Sequence, residues 1–173
     1  MKQVIVLVGP KGAGKSTIGR FVATEFAVHF VDAERVFLSV REDRGAGDAS
    51  LEARGFGALR RHLRAALARH PVLCFETTGT SEHVAPLFAF LERVARLSLV
   101  RVTVAPAEGE RRLNARPAVG HVPCAAATAR AINAAAAQLD FPWAAELDNS
   151  GVWDPESIRA TMRRLLGHPL PRG

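Results

Sequence analysis

The stretch Gly9-Pro10-Lys11-Gly12-Ala13-Gly14-Lys15-Ser16, followed by Thr17, decides how this chain folds. It matches the pattern G-x-x-x-x-G-K-[ST] at every fixed position. Its glycines let the backbone adopt positive φ angles and approach an anion closely. The N–H groups of the loop and of the following helix then bind that anion. Lys15 would contact the β- and γ-phosphates and the Ser16 hydroxyl would bind Mg²⁺, so the stretch predicts a phosphate-binding loop (P-loop) for a nucleoside triphosphate.

The residues on either side of the loop agree with this prediction. Gln3–Val8 is a short, β-branched apolar run, as expected of a strand that is buried on both faces of a parallel sheet. After the loop, Ile18, Phe21 and Val22 recur at helical spacing. A strand–loop–helix context of this kind favours the P-loop over an ordinary glycine-rich turn.

The rest of the chain alternates between strand-like and helix-like segments, which predicts an α/β fold with a parallel sheet between two layers of helices. Residues 1–173 are expected to form a single domain. Residues 44–50 resemble a glycine-containing loop. The remaining strands are predicted at 28–31, 72–75, 97–104 and 146–148. Helices are predicted at 33–41, 51–70, 108–115 and 125–139. Two further helices have predicted N-caps: one runs from Ser81 as N-cap through 91, and one from Asp154-Pro155 to about 166.

Composition and charge exclude several classes of protein. The formal net charge is +6, but the basic residues are spread along the chain among 17 acids, and the chain has no Tyr for base stacking, so nucleic acid is the weaker prediction for a partner. Cys74 and Cys124 are expected to be free thiols, because no His/Cys spacing suits zinc. No apolar run approaches the length that spans a bilayer. We therefore expect a cytoplasmic protein that does not associate with membranes.

The type of P-loop protein can be narrowed further. The guanine-reading pattern N-K-x-D of GTPases is absent from the sequence. The chain is also short for a helicase or a transporter ATPase. Small kinases remain.

Four segments, in order along the chain, resemble the small P-loop kinases related to shikimate, gluconate and nucleoside-monophosphate kinases, and in particular bacterial AAA-type members of that group. The segments are the Gly9–Thr17 loop, Phe30-Val31-Asp32-Ala33-Glu34 (similar to F-x-D-x-D), Arg111–Arg116 with Gly120–Pro123 (similar to an arginine-bearing lid), and Asp148-Asn149-Ser150-Gly151 (similar to an adenine-contacting loop). The resemblance implies a five-stranded sheet of order 2-3-1-4-5 and a lid at about 112–124, between the fourth and fifth strands. It also implies that ATP and Mg²⁺ are the cofactors.

Two carboxylates are candidates for the chemistry of the site. Asp32 ends the second predicted strand, where it could orient or deprotonate a hydroxyl and help to hold Mg²⁺, or could simply cap the next helix. Glu76 follows an apolar run, where a carboxylate could bind Mg²⁺ through water or activate a nucleophile, or could be an ordinary loop residue. Glu34 stands where the family has its second Asp, and its role is left open. Directly after Glu76, Thr77-Thr78-Gly79 stands where shikimate kinases have G-G-G. This difference argues against shikimate as the substrate.

Basic and amide side chains complete the predicted site. Arg112 and Arg116 are four residues apart, so they would share a helical face aimed at the phosphates, or else form a solvated basic surface. From the resemblance, Arg112 and the loop Asn149-Ser150-Gly151 would contact the nucleotide. His121 is expected to be a structural or substrate residue of the lid, and Arg54 is a candidate substrate arginine. Trp143 and Trp153 flank the adenine loop and are expected to pack.

Three functions are compatible with this set. The favoured one is an ATP-dependent kinase (phosphotransferase) of a small hydroxylated or nucleotide-like molecule. The second is a polynucleotide 5′-hydroxyl kinase or RNA-modifying relative, suggested by the positive charge. The third is a nucleotide-dependent switch without transferase activity. The sequence identifies neither the acceptor nor the oligomeric state.

Overall fold

Gln3–Val8 (β1) is the central strand of a five-stranded parallel sheet. All its residues are buried, as expected of a strand that is covered on both faces. The computed structural model describes residues 1–41, 49–116, 121–122 and 124–167. Within them the other strands are His29–Val31 (β2), Val72–Thr77 (β3), Arg96–Thr103 (β4) and Trp143–Asp148 (β5), and the order across the sheet is β2-β3-β1-β4-β5. This is the predicted order, and the predicted fold class is confirmed.

Helices cover both faces of the sheet. Alternate residues of β1 point to opposite faces, so that Ile5 and Leu7 belong to one core and Val4, Val6 and Val8 to the other. The described helices are Lys15–Glu25 (α1), Ala33–Ser39 (α2), Ala49–Arg69 (α3), Val84–Glu92 (α4), Pro106–Asn114 (α5), Ala126–Ala137 (α6) and Pro155–Leu166 (α7). The core around Ile5 is completed by α1 and α7, and the other core by α2, α3 and α4. The result is a three-layer α/β fold.

Several boundaries differ from those predicted. β3 runs two residues beyond Phe75, because Glu76 and Thr77 continue its ladder with β1. β5 begins at Trp143 instead of Glu146, and α3 begins at Ala49. Ser81 lies one turn before α4: its hydroxyl accepts the N–H of His83, and the helix itself starts at Val84. The predicted loop at 44–50 lies mostly outside the described residues, as do positions 117–120 and 123 of the predicted lid.

The P-loop lies between the end of β1 and the start of α1, against α5. Gly12 has a φ of 83°, which disfavours any side chain. A Cβ on Gly12 would also lie 2.4 Å from the carbonyl oxygen of Gly109 in α5, so only glycine lets the two backbones meet. Within the described part of the chain, no helix is long and apolar enough to cross a membrane.

Candidate functional site

The P-loop presents the N-terminus of α1 at the carboxyl edge of the sheet. Gly14 is the N-cap of α1, with a left-handed backbone and no capping hydrogen bond from a side chain. The first N–H groups of α1 therefore have no side-chain cap and can bind an anion. Asn149 fixes the other side of the loop, because its Nδ2 donates to the carbonyl of Ala13 at 2.8 Å. This arrangement can hold phosphate groups.

Lys15 is buried at the base of the loop. Its ammonium group donates to the carbonyl oxygens of Gly9 and Pro10, both at 2.7 Å. Its pKa is lowered to about 8, mainly by burial and also by the charges of Lys11 and Arg116, while Glu76 opposes the shift. A negatively charged ligand would supply the compensating charge that this cation needs.

Ser16 and Glu76, two of the three residues that were predicted to bind Mg²⁺, lie side by side. The Ser16 hydroxyl lies 2.7 and 2.8 Å from the two carboxylate oxygens of Glu76. Burial raises the pKa of Glu76, and Lys15 and the Ser16 hydrogen bond counteract that rise. Mg²⁺ prefers such hard oxygen ligands and usually keeps several waters, so one hydroxyl and one carboxylate fit it. The described residues contain no group of three or more His, Cys, Asp or Glu side chains that could hold a metal.

Asp32 does not join this pair. It caps α2 by accepting the N–H of Arg35 at 3.1 Å, and its second oxygen lies 2.9 Å from the guanidinium of Arg20. It lines a side cavity of about 520 Å³. The structure therefore realises the helix-cap alternative that the sequence left open, while the predicted catalytic and metal roles of Asp32 stay predictions.

A cavity of about 640 Å³ opens directly from the P-loop. Lys15, Ser16 and Glu76 line one end of it. Glu34 lines the cavity too, so that of the two acids in the Asp32–Glu34 segment only Glu34 faces this space. The last residue of β3, Thr77, and the turn that follows it contribute threonine hydroxyl groups to the wall. Arg54, the candidate substrate arginine, is not among the lining residues.

The two predicted lid arginines have different surroundings. Arg112 donates to Glu108 at 2.6 Å, and hydrogen bonds from Arg111 and Arg112 hold the pKa of Glu108 at about 2. Arg116 is exposed and borders both cavities beside the P-loop. Arg116 lines the cavity wall that Lys15 also lines, whereas the guanidinium of Arg112 lies beside Gly14 of the P-loop, 3.8 Å from where a Cβ of that residue would be.

The predicted adenine loop follows β5. Asn149 contacts the P-loop as described above, and Ser150 accepts the N–H of Ala105 at 2.7 Å. Gly151 faces open space, since a Cβ there would meet nothing within 4 Å. Trp153 packs edge-on against Phe21, with ring centroids 5.5 Å apart. Trp143 does not flank this loop: it begins β5, five residues or roughly 17 Å of extended strand away.

Two contacts at the site carry no signal in the sequence. Asn133 of α6 accepts the N–H of Lys11 at 2.7 Å and donates back to the Lys11 carbonyl at 3.2 Å. Glu34 accepts the N–H of Val122 at 3.1 Å, and its other oxygen lies 2.9 Å from Nδ1 of His121. These contacts join α6 and the 121–122 segment to the phosphate-binding elements. Sequence reasoning missed them because their partners are about 90 to 120 residues apart.

A P-loop with a buried lysine and a Ser–Glu pair, at the carboxyl edge of a 2-3-1-4-5 parallel sheet, defines a P-loop nucleoside-triphosphate-binding protein. The chain belongs to the AAA domain family, which it matches over residues 4–142.

Known proteins resemble the chain in part of its sequence and in its whole fold. Shikimate kinase of Vibrio vulnificus is 47% identical over 49 residues, which is 28% of this chain and 26% of that protein, so the match spans about a quarter of the curated relative. The structure of shikimate kinase from Acinetobacter baumannii superposes with a TM-score of 0.67 at 17% identity, covering 96% of this chain and 94% of the other. A sugar kinase from Janibacter sp. HTCC2649 gives 0.65 at 16% identity, covering 96% and 95%. The resemblance to small P-loop kinases is confirmed.

Proposed function

We propose that the protein is an ATP-dependent kinase that transfers the γ-phosphoryl group of Mg-ATP to a small hydroxylated molecule. One observation carries the proposal: a single cavity joins Lys15, Ser16 and Glu76 to a pocket lined by hydroxyl and apolar side chains. A switch protein needs only the nucleotide site, whereas a transferase needs space for a second molecule beside the phosphates. The cytoplasmic location predicted from the sequence is part of the same proposal.

Phosphoryl transfer requires mainly positioning and neutralisation of charge. In this proposal the N–H groups at the start of α1, together with Lys15, bind the phosphates. Ser16 and Glu76 hold hydrated Mg²⁺, which when bound neutralises charge on the phosphate oxygens. Arg116 adds positive charge from the opposite wall, in the role predicted for the lid arginines.

The remaining predicted residues have supporting roles in the proposal. Arg112, Asn149, Ser150 and Gly151 border the nucleotide on the far side of the P-loop. The acceptor hydroxyl is oriented by a carboxylate of the Asp32–Glu34 segment. Glu34 reaches the cavity directly, while Asp32 acts through the start of α2, which it caps.

The decisive experiment is ADP release from Mg-ATP across a panel of acceptors. The panel contains nucleosides, nucleoside monophosphates, sugar acids, shikimate, amino alcohols and a 5′-hydroxyl oligonucleotide. We expect ADP formation that depends on one class of acceptor. Nucleotide binding that no acceptor converts into turnover would favour the switch hypothesis instead.

The matched control is Lys15→Ala. We expect it to lower kcat/KM at least about 100-fold, because the phosphates lose their buried cation. The circular dichroism spectrum and the melting temperature should stay close to those of the wild type, since Lys15 bonds only to carbonyls of its own loop. Retained turnover in this variant would contradict the assigned phosphate site.

A further inference from the structure

The side of the 640 Å³ cavity that is formed by α2, α3 and the residues after Glu76 has its own chemical character. We call it the acceptor half and define it by Phe37, Glu52, Phe56, Thr77, Thr78 and Glu82. It is built by α2, the start of α3, and the turn between β3 and α4. If the proposed kinase function holds, this is where the phosphoryl acceptor binds.

Charge is divided between the two ends of the cavity. Among the described lining residues, the cations are Lys11, Lys15 and Arg116. All three belong to the phosphate end, because Lys11 and Arg116 lie close enough to Lys15 to act on its charge. The charged side chains that the described residues contribute to the acceptor half are both carboxylates, those of Glu52 and Glu82.

Glu34 adds a further carboxylate to the wall of the cavity. Its two oxygens are already engaged by His121 and by the N–H of Val122. A carboxylate contributes negative charge and accepts hydrogen bonds but donates none. A carboxylate or phosphate group on an acceptor would face this charge and would lose its hydration without gaining a cationic partner from the described residues of the acceptor half.

Apolar and hydroxyl groups make up the rest of the acceptor half. The rings of Phe37 and Phe56 pack edge to face, with centroids 5.3 Å apart. Aromatic faces accept both apolar groups and cations. The hydroxyls of Thr78 and Thr80 lie 3.1 Å apart, and the Thr77 hydroxyl accepts the N–H of Gly79, so each keeps further capacity for hydrogen bonds to a ligand.

We propose that the phosphoryl acceptor is a hydroxylated amine with an apolar portion, and not a carboxylic acid or a phosphorylated compound. The inference rests on the proposed kinase function. The acceptor hydroxyl oxygen forms a bond to the γ-phosphorus of ATP, and the bond between that phosphorus and the bridging β–γ oxygen breaks. ADP leaves, and the hydroxyl proton passes to a carboxylate of the site and then to solvent. The ammonium group faces Glu52 and Glu82 at the cavity wall.

Matched acceptors test the inference. Each set contains an aromatic amino alcohol, its N-acetyl derivative and the hydroxy acid of the same skeleton. ADP release is measured at saturating Mg-ATP, and binding of each compound is measured by calorimetry with a non-hydrolysable ATP analogue. We expect the amine to exceed the acid at least about tenfold in kcat/KM and in affinity, with the neutral derivative between them.

Variants identify the residues responsible. We expect the double variant Glu52→Gln/Glu82→Gln to raise KM for the amine about three- to tenfold, while kcat and KM for ATP stay unchanged, since the two exposed carboxylates act only on the acceptor. Glu92→Gln is the matched control, because Glu92 is an exposed acid of α4 that does not line the cavity. It should leave KM for the amine unchanged.

The outcomes separate the two proposals. Turnover with a preference for the acid overturns the inference and leaves the kinase proposal standing. Preference for the amine that the double variant does not weaken overturns the role of Glu52 and Glu82. Absence of ADP with every compound overturns the kinase proposal, and tighter binding of the acid in calorimetry then overturns the charge argument as well.

Discussion

At the scale of single residues, the phosphate end of the cavity contains two buried side chains of opposite charge, and each has its own hydrogen-bond partners. Lys15 donates to two carbonyls of its own loop, and Glu76 accepts the hydroxyl of Ser16. Burial disfavours the charged form of both groups, as the shifts in their pKa values show. Phosphate and Mg²⁺ would each supply the charge that the site lacks. The burial of these two groups therefore suits the bound ligands but lowers the stability of the ligand-free protein.

The lowered pKa of Lys15 predicts that nucleotide binding depends on pH. Without nucleotide, Lys15 loses its proton near pH 8; bound phosphates favour the charged form and raise that pKa. Near pH 7 the proton is already present, so Lys15 adds no pH dependence to the affinity there. Above about pH 8, binding takes up about one proton and affinity falls about tenfold per pH unit. The terminal phosphate is fully ionised throughout this alkaline range.

Calorimetry in two buffers of different ionisation enthalpy measures this proton uptake. Lys15→Arg is the control, because a guanidinium keeps its charge at every pH used. Its affinity should be weaker but should not vary between about pH 8 and pH 9.5. A wild-type affinity that is equally flat over that range would show that Lys15 is charged without its ligand.

How well the sequence predicted the site depended on how far apart in sequence the residues of each contact lie. The P-loop was predictable in full, because its function needs particular residue types at fixed local spacing. Asp32 and Glu34 are two residues apart, yet one caps α2 and the other lines the cavity. That choice is set by where α2 begins, which the F-x-D-x-D pattern does not specify. Asn133 could not have been found, since nothing near it in sequence indicates that it reaches Lys11.

At the scale of elements, α6 is joined to the P-loop by the side chain of Asn133. The amide makes two hydrogen bonds to the backbone of Lys11, so both the donor and the acceptor group of that peptide unit are satisfied. Gly109 of α5 packs on the same loop through backbone contact with Gly12. The helices that lead into and out of the predicted lid therefore both touch the phosphate-binding loop.

We predict that Asn133→Ala loosens the P-loop without unfolding the protein. The N–H of Lys11 loses its partner, so its hydrogen exchange should accelerate about tenfold or more. KM for ATP should rise about three- to tenfold, with a smaller change in kcat. Hydrogen exchange and steady-state kinetics measure the two effects.

Two further variants make the Asn133 test specific. Asn133→Asp keeps the oxygen that accepts the Lys11 N–H but loses the donor, so its exchange rate should lie between those of the wild type and Asn133→Ala. Asn114→Ala replaces an exposed asparagine of α5 and should change neither quantity. If Asn133→Ala behaves like Asn114→Ala, the tether has no effect on the loop.

The ends of the elements were harder to predict than their order. The sheet order was predictable from the resemblance, and the alternation of apolar runs located every strand. β3 extends through Glu76 and Thr77 because these residues pair with Leu7 and Val8, which a scan for apolar runs does not see. β5 begins at Trp143, opposite Leu99, although two alanines with low strand propensity follow it. Pairing with a neighbouring strand overrides local preference in both cases.

At the scale of the whole molecule, the net charge of +6 is the balance of 23 basic and 17 acidic residues that are spread along the chain. Several arginines form ion pairs with carboxylates, some between elements and some within one helix. These pairs include Arg20 with Asp32, Arg101 with Glu146, Arg111 and Arg112 with Glu108, Arg130 with Glu110, and Arg159 with both Glu25 and Glu156. Since nucleic acid binding needs unpaired cations along one face, this distribution disfavours the polynucleotide kinase alternative.

This distribution predicts how the protein responds to an oligonucleotide. A labelled 5′-hydroxyl oligonucleotide should bind weakly at about 0.05 M salt and not measurably at about 0.2 M, because the few phosphate contacts that a dispersed charge can make are lost to counterions. Fluorescence anisotropy measures the affinity for the oligonucleotide at each salt concentration. An arginine-rich peptide of the same net charge is the control. The peptide concentrates its cations and should show the steeper salt dependence.

Binding by the protein that persists at about 0.2 M salt, together with transfer of phosphate to the oligonucleotide, would overturn the small-molecule assignment. It would also mean that positive charge is gathered along a path that the paired arginines do not reveal.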